Sequence, residues 1–172
     1  MSARWSEPDI SAHIEGEYVS TIVCVAPGGG IAQQLLLSSV CVLLISAAGW
    51  DRIHARLPNT LTLPAILMAL LLFPSAWWGG LLWGVSYGLA WWRNWGIGGG
   101  DVKLAVSLGV IAAAQGVLVL PWVIAGAALL TLIDATLQHF QLLPSALARG
   151  RVPHGPGMVS ATLIAALLCA KV

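Results

Sequence analysis

The stretch LPNTLTLPAILMALLLFPSAWWGGLLWGVSYGLAWW, residues 57–92, contains no charged side chain. A helix needs about 20 apolar residues to cross a bilayer, so this stretch is too long for one spanning helix and long enough for two short ones. The sequence Phe73-Pro74-Ser75 interrupts it, because proline removes a backbone N–H group that a helix needs. We therefore expect a tight hairpin of two spanning helices.

The same composition extends through most of the chain. Hydrophobic residues make up 58% of the 172 and charged residues only 9%, which excludes an ordinary water-soluble fold. Three more uncharged runs occupy residues 18–50, 104–133 and 152–170. Dividing them at proline and glycine, including a break near Gln115-Gly116 and Pro121, predicts further spans. These cover residues 31–50, from 101 to about 120, from 122 to about 143, and around 158–170. The expected fold is an all-α integral membrane bundle of about six transmembrane helices, residues 31–172, preceded by a tail of residues 1–30.

Charge placement predicts the orientation of these helices. Six helices make three connections on one side of the membrane, at residues 51–59, 93–103 and 144–153, and these connections contain six of the eight basic residues. The six are Arg52, Arg56, Arg93, Lys103, Arg149 and Arg151. Because Lys and Arg concentrate in cytoplasmic loops, we expect this side to face the cytoplasm and both termini and the tail to lie outside. In this interpretation the orientation of the helices is sufficient to explain Arg52, Arg56, Arg149 and Arg151.

Other partner classes have little support. A net charge of +1 without a basic stretch argues against nucleic acid. The three cysteines are isolated, with no CxxC pair, and indicate neither a zinc site nor a disulfide framework. We therefore expect the lipid bilayer as the surroundings and neither a metal nor an organic cofactor, whereas the oligomeric state is left open.

Three acidic residues lie beyond the tail: Asp51, Asp101 and Asp134. Asp51 falls at the inner end of span one, where the negative end of the helix dipole disfavours a carboxylate. Asp101 follows Gly98-Gly99-Gly100 at the start of span four, where a structural role as the helix N-cap is one interpretation.

The topology gives the first two acids a joint interpretation, because it places both at the cytoplasmic boundary. Two carboxylates brought close cannot both ionise, so one holds a proton while the other activates water. That pair is the apparatus of aspartic peptide hydrolysis. Glycines beside it would let an extended peptide approach the acid closely.

Three motifs add a family resemblance. DRIHARLPN at residues 51–59 is similar to the first motif of the type IV prepilin peptidases, and GGGDVKL at residues 98–104 resembles their GxGD motif. VPHGP at residues 152–156 is similar to the P-x-G-P stretch before the last helix of that family. The three occur in order, each at the predicted cytoplasmic edge.

The resemblance implies an aspartic endopeptidase of the inner membrane, with Asp51 and Asp101 as catalytic residues. It would cleave the leader of prepilin-like proteins at the cytoplasmic face. Longer members also carry a methyltransferase domain with paired cysteines, which this chain lacks, so only the peptidase activity is expected. Residues expected to bind substrate or support the acids are Pro58, Asn59, Gly98, Gly100, Lys103, Pro153, Gly155 and Pro156.

Lys103 and Asp134 have alternative interpretations. Lys103 either marks the topology, pairs with the glutamate that prepilins carry near the new N-terminus, or lowers the pKa of a dyad carboxylate. Asp134, inside span five, is expected to be a packing residue hydrogen-bonded to Gln138 or His139. His154 is expected to have only a structural role in its loop.

Two competing functions belong to other classes. A non-catalytic assembly subunit of a pilus or secretion system would keep the fold without activity, although it has no need of acids at both motif positions. A small transporter would use Asp134 as a proton relay.

The predicted orientation can be tested by cysteine accessibility in a variant whose three native cysteines are replaced. Single cysteines at Ser2 and at Asn94 are expected to react with a membrane-impermeant reagent from opposite sides. Labelling of both from the same side would exclude six spans with external termini.

Overall fold

The computed structural model describes residues 31–54, 57–140 and 153–169. Within these ranges the chain forms six α-helices and no strand, which confirms the predicted all-α class. The helices are α1 (Ile31–His54), α2 (Asn59–Leu72), α3 (Trp77–Trp92), α4 (Gly99–Ala114), α5 (Val119–His139) and α6 (Gly155–Cys169). The predicted tail, residues 1–30, lies outside the described residues.

The break inside the long uncharged stretch occurs where proline predicts it. A single 3₁₀ turn, Pro74–Ala76, separates α2 from α3, with proline at its first position. The chain bends by 111° between α2 and the segment that follows, and these two helices make few contacts with each other, so the predicted tight hairpin is instead an open bend. Proline suits the start of such a turn, since no N–H group is needed there.

The next break agrees with the prediction only in part. The predicted break near Gln115-Gly116 is confirmed, but the helix ends expected near Leu120 and Trp122 are wrong, because α4 already ends at Ala114 and α5 begins at Val119. Gly116 makes the connection with φ of +143°, a conformation that favours glycine. Pro121 lies in the first turn of α5, where N–H groups have no partner within the helix, so proline is tolerated.

α4 is the central helix of the bundle and contacts α2, α3, α5 and α6. Its approach to α3 is so close that a Cβ atom on Gly80 would lie 2.6 Å from the Val106 carbonyl oxygen. The core around α4 contains buried side chains of both helices, including Trp83, Leu104 and Leu108. The position of α4 places its first turn, which carries Asp101, among several other helices.

Large apolar side chains cover the outside of the bundle. Leu67, Leu82 and Trp122 are 58–78% exposed, as expected for a surface that meets lipid rather than water. By length and composition two helices can cross a bilayer, at Leu35–His54 and Val119–His139, and the bent pair of α2 and α3 provides a third candidate span. The chain is an all-α membrane protein, while six separate spans remain a prediction.

Candidate functional site

Asp51 and Asp101 come together at one end of the bundle. Asp51 lies in the last turn of α1 and Asp101 in the first turn of α4, and their exposed fractions are only 5% and 8%. The two carboxylates are close enough for their charges to repel each other. Among the described residues, no group of three or more His, Cys, Asp or Glu is placed to hold a metal ion.

Asp101 is fixed by the start of its own helix. The backbone N–H of Gly98 donates a hydrogen bond to Asp101 Oδ2 at 3.0 Å, and the N–H of Asp101 donates to the Gly98 carbonyl at 3.0 Å. The N-cap interpretation of Asp101 is wrong in detail, because Gly98 is the N-cap and Asp101 is the third residue of α4. A carboxylate at that position still satisfies an N–H group at the helix start.

Asp51 is fixed by a different helix. The N–H of Gly155, the first residue of α6, donates to Asp51 Oδ2 at 3.0 Å in a buried hydrogen bond. A Cβ atom on Gly155 would lie 2.8 Å from that same oxygen, so only glycine leaves room for the bond. The third sequence motif therefore reaches the first acid directly, although 104 positions separate them.

The first two motifs also contact each other. Lys103 Nζ donates to Asn59 Oδ1 at 2.6 Å, which joins α4 to the start of α2. A Cβ atom on Gly100 would lie 2.7 Å from Leu57 Cβ. Gly100 thus approaches the chain's own Leu57 closely, and its contact with a substrate peptide stays a prediction.

The prolines of the motifs begin helices. Pro58 is the residue before α2, and its carbonyl accepts hydrogen bonds from the N–H groups of Leu61 and Thr62. Pro156 is the second residue of α6, where a missing N–H costs nothing, and Pro153 is buried just before that helix. These prolines set where the helices that carry the site start.

Sequence reasoning missed two residues near Asp101. His154 lies close enough to Asp101 to interact electrostatically with its carboxylate, and the Asp101 carboxylate in turn acts on the phenol of Tyr87 on α3. Tyr87 packs edge-on against the buried Trp83 ring, with centroids 6.0 Å apart. The loop role assigned to His154 was too narrow, and the antiparallel packing of α3 on α4, which brings Tyr87 opposite Asp101, cannot be derived from a motif.

Asp134 does not join the two acids but forms a separate cluster. Arg52 donates from both terminal nitrogens to Asp134, at 3.1 and 3.2 Å, and Gln138 Nε2 donates at 2.8 Å. The predicted Gln138 partner is confirmed, whereas His139 packs edge-on against Phe140. Interpreting Arg52 by orientation alone was wrong, because its guanidinium has this specific partner.

Comparison with known proteins assigns the family. A sequence model described as the type IV leader peptidase family matches residues 38–170, a range that includes all three motifs and both acids. No curated protein and no solved structure matches the chain significantly. The match covers well over half of the chain, and the helical bundle agrees with a membrane peptidase. The chain belongs to the type IV leader peptidase family.

Proposed function

We propose that this protein is an aspartic endopeptidase that cleaves the leader of prepilin-like proteins at the cytoplasmic face of the inner membrane. One observation supports the proposal above all: two buried carboxylates from different helices are near enough to interact electrostatically, and each has one oxygen held by a backbone N–H group. Membership in the leader peptidase family supports proteolysis in general. The substrate, the side of cleavage and the roles of the residues belong to the proposal.

The chemistry requires only water and the two acids. The ionised carboxylate takes a proton from water as the water oxygen attacks the peptide carbonyl carbon, while the protonated acid donates its proton to the carbonyl oxygen. The tetrahedral intermediate then collapses, and the C–N bond breaks as the carboxyl group that took the water proton gives it to the leaving amine. The other carboxylate takes back the proton of the hydroxyl group, which restores the carbonyl and the starting state of the two acids. Burial supports the pairing, because like charges in apolar surroundings favour sharing of one proton.

The arrangement of Asp134 argues against the transporter alternative. A proton relay must exchange its proton with water or another acid, and both Asp134 oxygens accept hydrogen bonds from Arg52. The bidentate arginine therefore occupies the carboxylate oxygens that a proton pathway would need. The assembly-subunit alternative is left to the activity test.

Replacing either acid with asparagine is expected to abolish cleavage. Asp51→Asn and Asp101→Asn keep the side-chain shape but cannot exchange the proton, so each should lower the rate by about 10³-fold or more while the protein accumulates in the membrane. The measurement is co-expression with a prepilin substrate and a gel that separates precursor from mature protein.

Asp134→Asn is the matched control in that experiment, since it changes a partly buried carboxylate of the same chain. We expect it to lose less than about tenfold in rate, because it keeps the shape of the side chain and part of its hydrogen bonding. Equal cleavage by all three variants and the wild type would show that this chain is not an aspartic protease, and a prepilin left whole by the wild-type protein would support the assembly-subunit alternative. Normal cleavage by Asp51→Asn with none by Asp134→Asn would reassign the dyad to Asp101 and Asp134.

The contact of Gly155 with Asp51 generates a second expectation. Gly155→Ala introduces a Cβ atom 2.8 Å from Asp51 Oδ2, so it must displace the carboxylate or the start of α6. We expect cleavage to fall by about 10²-fold with little loss of membrane-inserted protein, because small misplacements of reacting groups are costly. Gly126→Ala is the control, since its Cβ atom would make an ordinary contact of 3.6 Å with Ala161. A wild-type rate of cleavage by Gly155→Ala would show that the hydrogen bond from Gly155 to Asp51 is not needed for catalysis.

Lys103 provides a third test, which concerns the substrate. We propose that its exposed ammonium group, held near the site by Asn59, pairs with the glutamate near the mature N-terminus of the prepilin. Lys103→Met should raise the KM for the prepilin. With a prepilin whose glutamate is replaced by glutamine, Lys103→Met and the wild type should have the same KM. Asn59→Ala keeps the cation and is the control for loss of the internal hydrogen bond. Lys103→Met with a normal rate, KM and pH profile would refute both the pairing and any influence on the dyad.

A further inference from the structure

The contact between Arg52 and Asp134 joins helices that are far apart in sequence. Arg52 Nη1 and Nη2 donate to Asp134 Oδ2 and Oδ1 at 3.2 and 3.1 Å, so the guanidinium fork engages both carboxylate oxygens. Gln138, one turn further along α5, donates to Oδ2 at 2.8 Å. Arg52, Asp134 and Gln138 together form what we call the α1–α5 bridge. Bidentate pairs of this kind fix direction as well as distance.

The first turn of α6 lies between the two helices that the bridge connects. On one side, the N–H of Gly155 donates to Asp51 of α1. On the other side, Gly157 packs so tightly on α5 that an added Cβ atom would overlap Thr131 Oγ1 and lie 3.0 Å from the Ala127 carbonyl oxygen. Thr131 is three residues before Asp134, and therefore near it on the helix. The two glycines thus contact the same two helices that the bridge joins.

Asp51 and Arg52 are consecutive residues of one helical turn. Successive side chains of an α-helix point about 100° apart, so fixing one of them fixes the rotation of the other. Anchoring Arg52 on α5 therefore determines the direction in which the last turn of α1 presents Asp51. The same anchor sets how closely α1 and α5 enclose the start of α6.

We propose that the α1–α5 bridge is a positioning device that holds the first turn of α6 against Asp51. This inference rests on the proposed function, because it assigns Arg52 and Asp134 a role in the geometry of the proposed dyad. The bridge itself stays out of the chemistry and acts through the hydrogen bond from Gly155 to Asp51. Removing it leaves the acids in place but lets the carboxylate of Asp51 lose its orientation.

The test is steady-state cleavage of a prepilin peptide by the full-length protein in detergent. Arg52→Ala and Asp134→Ala are each expected to lower kcat by about tenfold while KM changes by less than about twofold. The double alanine variant should resemble either single variant rather than multiply their losses, since both replacements break the same unit. Arg93→Ala is the matched control, because Arg93 lies exposed in the connection after α3, near the Trp95 ring, with no ion pair among the described residues.

Three results would overturn the inference. The first is a wild-type kcat in both single variants, and the second is a double variant in which the two losses of kcat multiply. The third is a rise in KM of the single variants with kcat unchanged. If the alanine variants fail to accumulate in the membrane, the Asp134→Asn variant is measured instead. A kcat lowered about two- to tenfold at constant KM supports the proposed role of the bridge, and an unchanged kcat refutes it. Wild-type protein and Asp51→Asn are assayed alongside. An inactive wild type would refute the proposed function together with the bridge, whereas an active wild type with normal bridge variants would refute the bridge alone.

Discussion

Two carboxylate groups lie buried within a bundle that consists almost entirely of apolar side chains. Burying a charge without hydrogen bonds is costly, and two neighbouring carboxylates add repulsion to that cost. Each acid meets this constraint in the same way, because one oxygen accepts a hydrogen bond from a backbone N–H at the start of a helix. The donor is Gly98, the N-cap of α4, for Asp101 and Gly155, the first residue of α6, for Asp51. These N–H groups have no partner within their own helices, and the helix start carries partial positive charge, so donor and acceptor satisfy each other.

The same interaction explains why Asp51 can be placed where its own helix disfavours it. The last turn of α1 presents the negative end of the helix dipole to the carboxylate, whereas the first turn of α6 presents a positive end. The site therefore depends on a helix that begins 104 positions after the acid it supports. Glycine at position 155 is required by this contact, because a side chain there would occupy the space of the carboxylate oxygen. The late motif is thus part of the support of the first acid.

Much of this site could be predicted from sequence, because local patterns determine it. The uncharged runs indicated the helices, the Phe73-Pro74-Ser75 sequence marked the break between α2 and α3, and the three motifs contain both acids and Gly155. What could not be predicted depends on tertiary contacts. The Arg52–Asp134 pair joins residues 82 positions apart, and Arg52 had a sufficient explanation in the membrane topology.

The helix boundaries that were predicted wrongly have a local cause. Pro121 suggested a break, but proline is also acceptable in a first helical turn, and sequence alone does not distinguish the two positions. The N-cap assignment of Asp101 failed for a similar reason. An aspartate can hold the start of a helix either as the N-cap or from the third position, and here Gly98 precedes it as the cap.

The geometry of the hydrogen bonds also bears on how the two acids could work together. Both backbone bonds go to Oδ2, and among the described residues no hydrogen bond reaches Oδ1 of either acid. One oxygen of each carboxylate is therefore held in place, while the other remains for water and for the proton that the pair would share. A proton transfer that reverses in every cycle needs an acid whose orientation is fixed but whose reacting oxygen has no competing donor. In the proposed mechanism the backbone supplies the orientation, and the shared proton and the water occupy the remaining oxygens. On this view the N–H groups at the starts of two helices, rather than other side chains, prepare the dyad for catalysis.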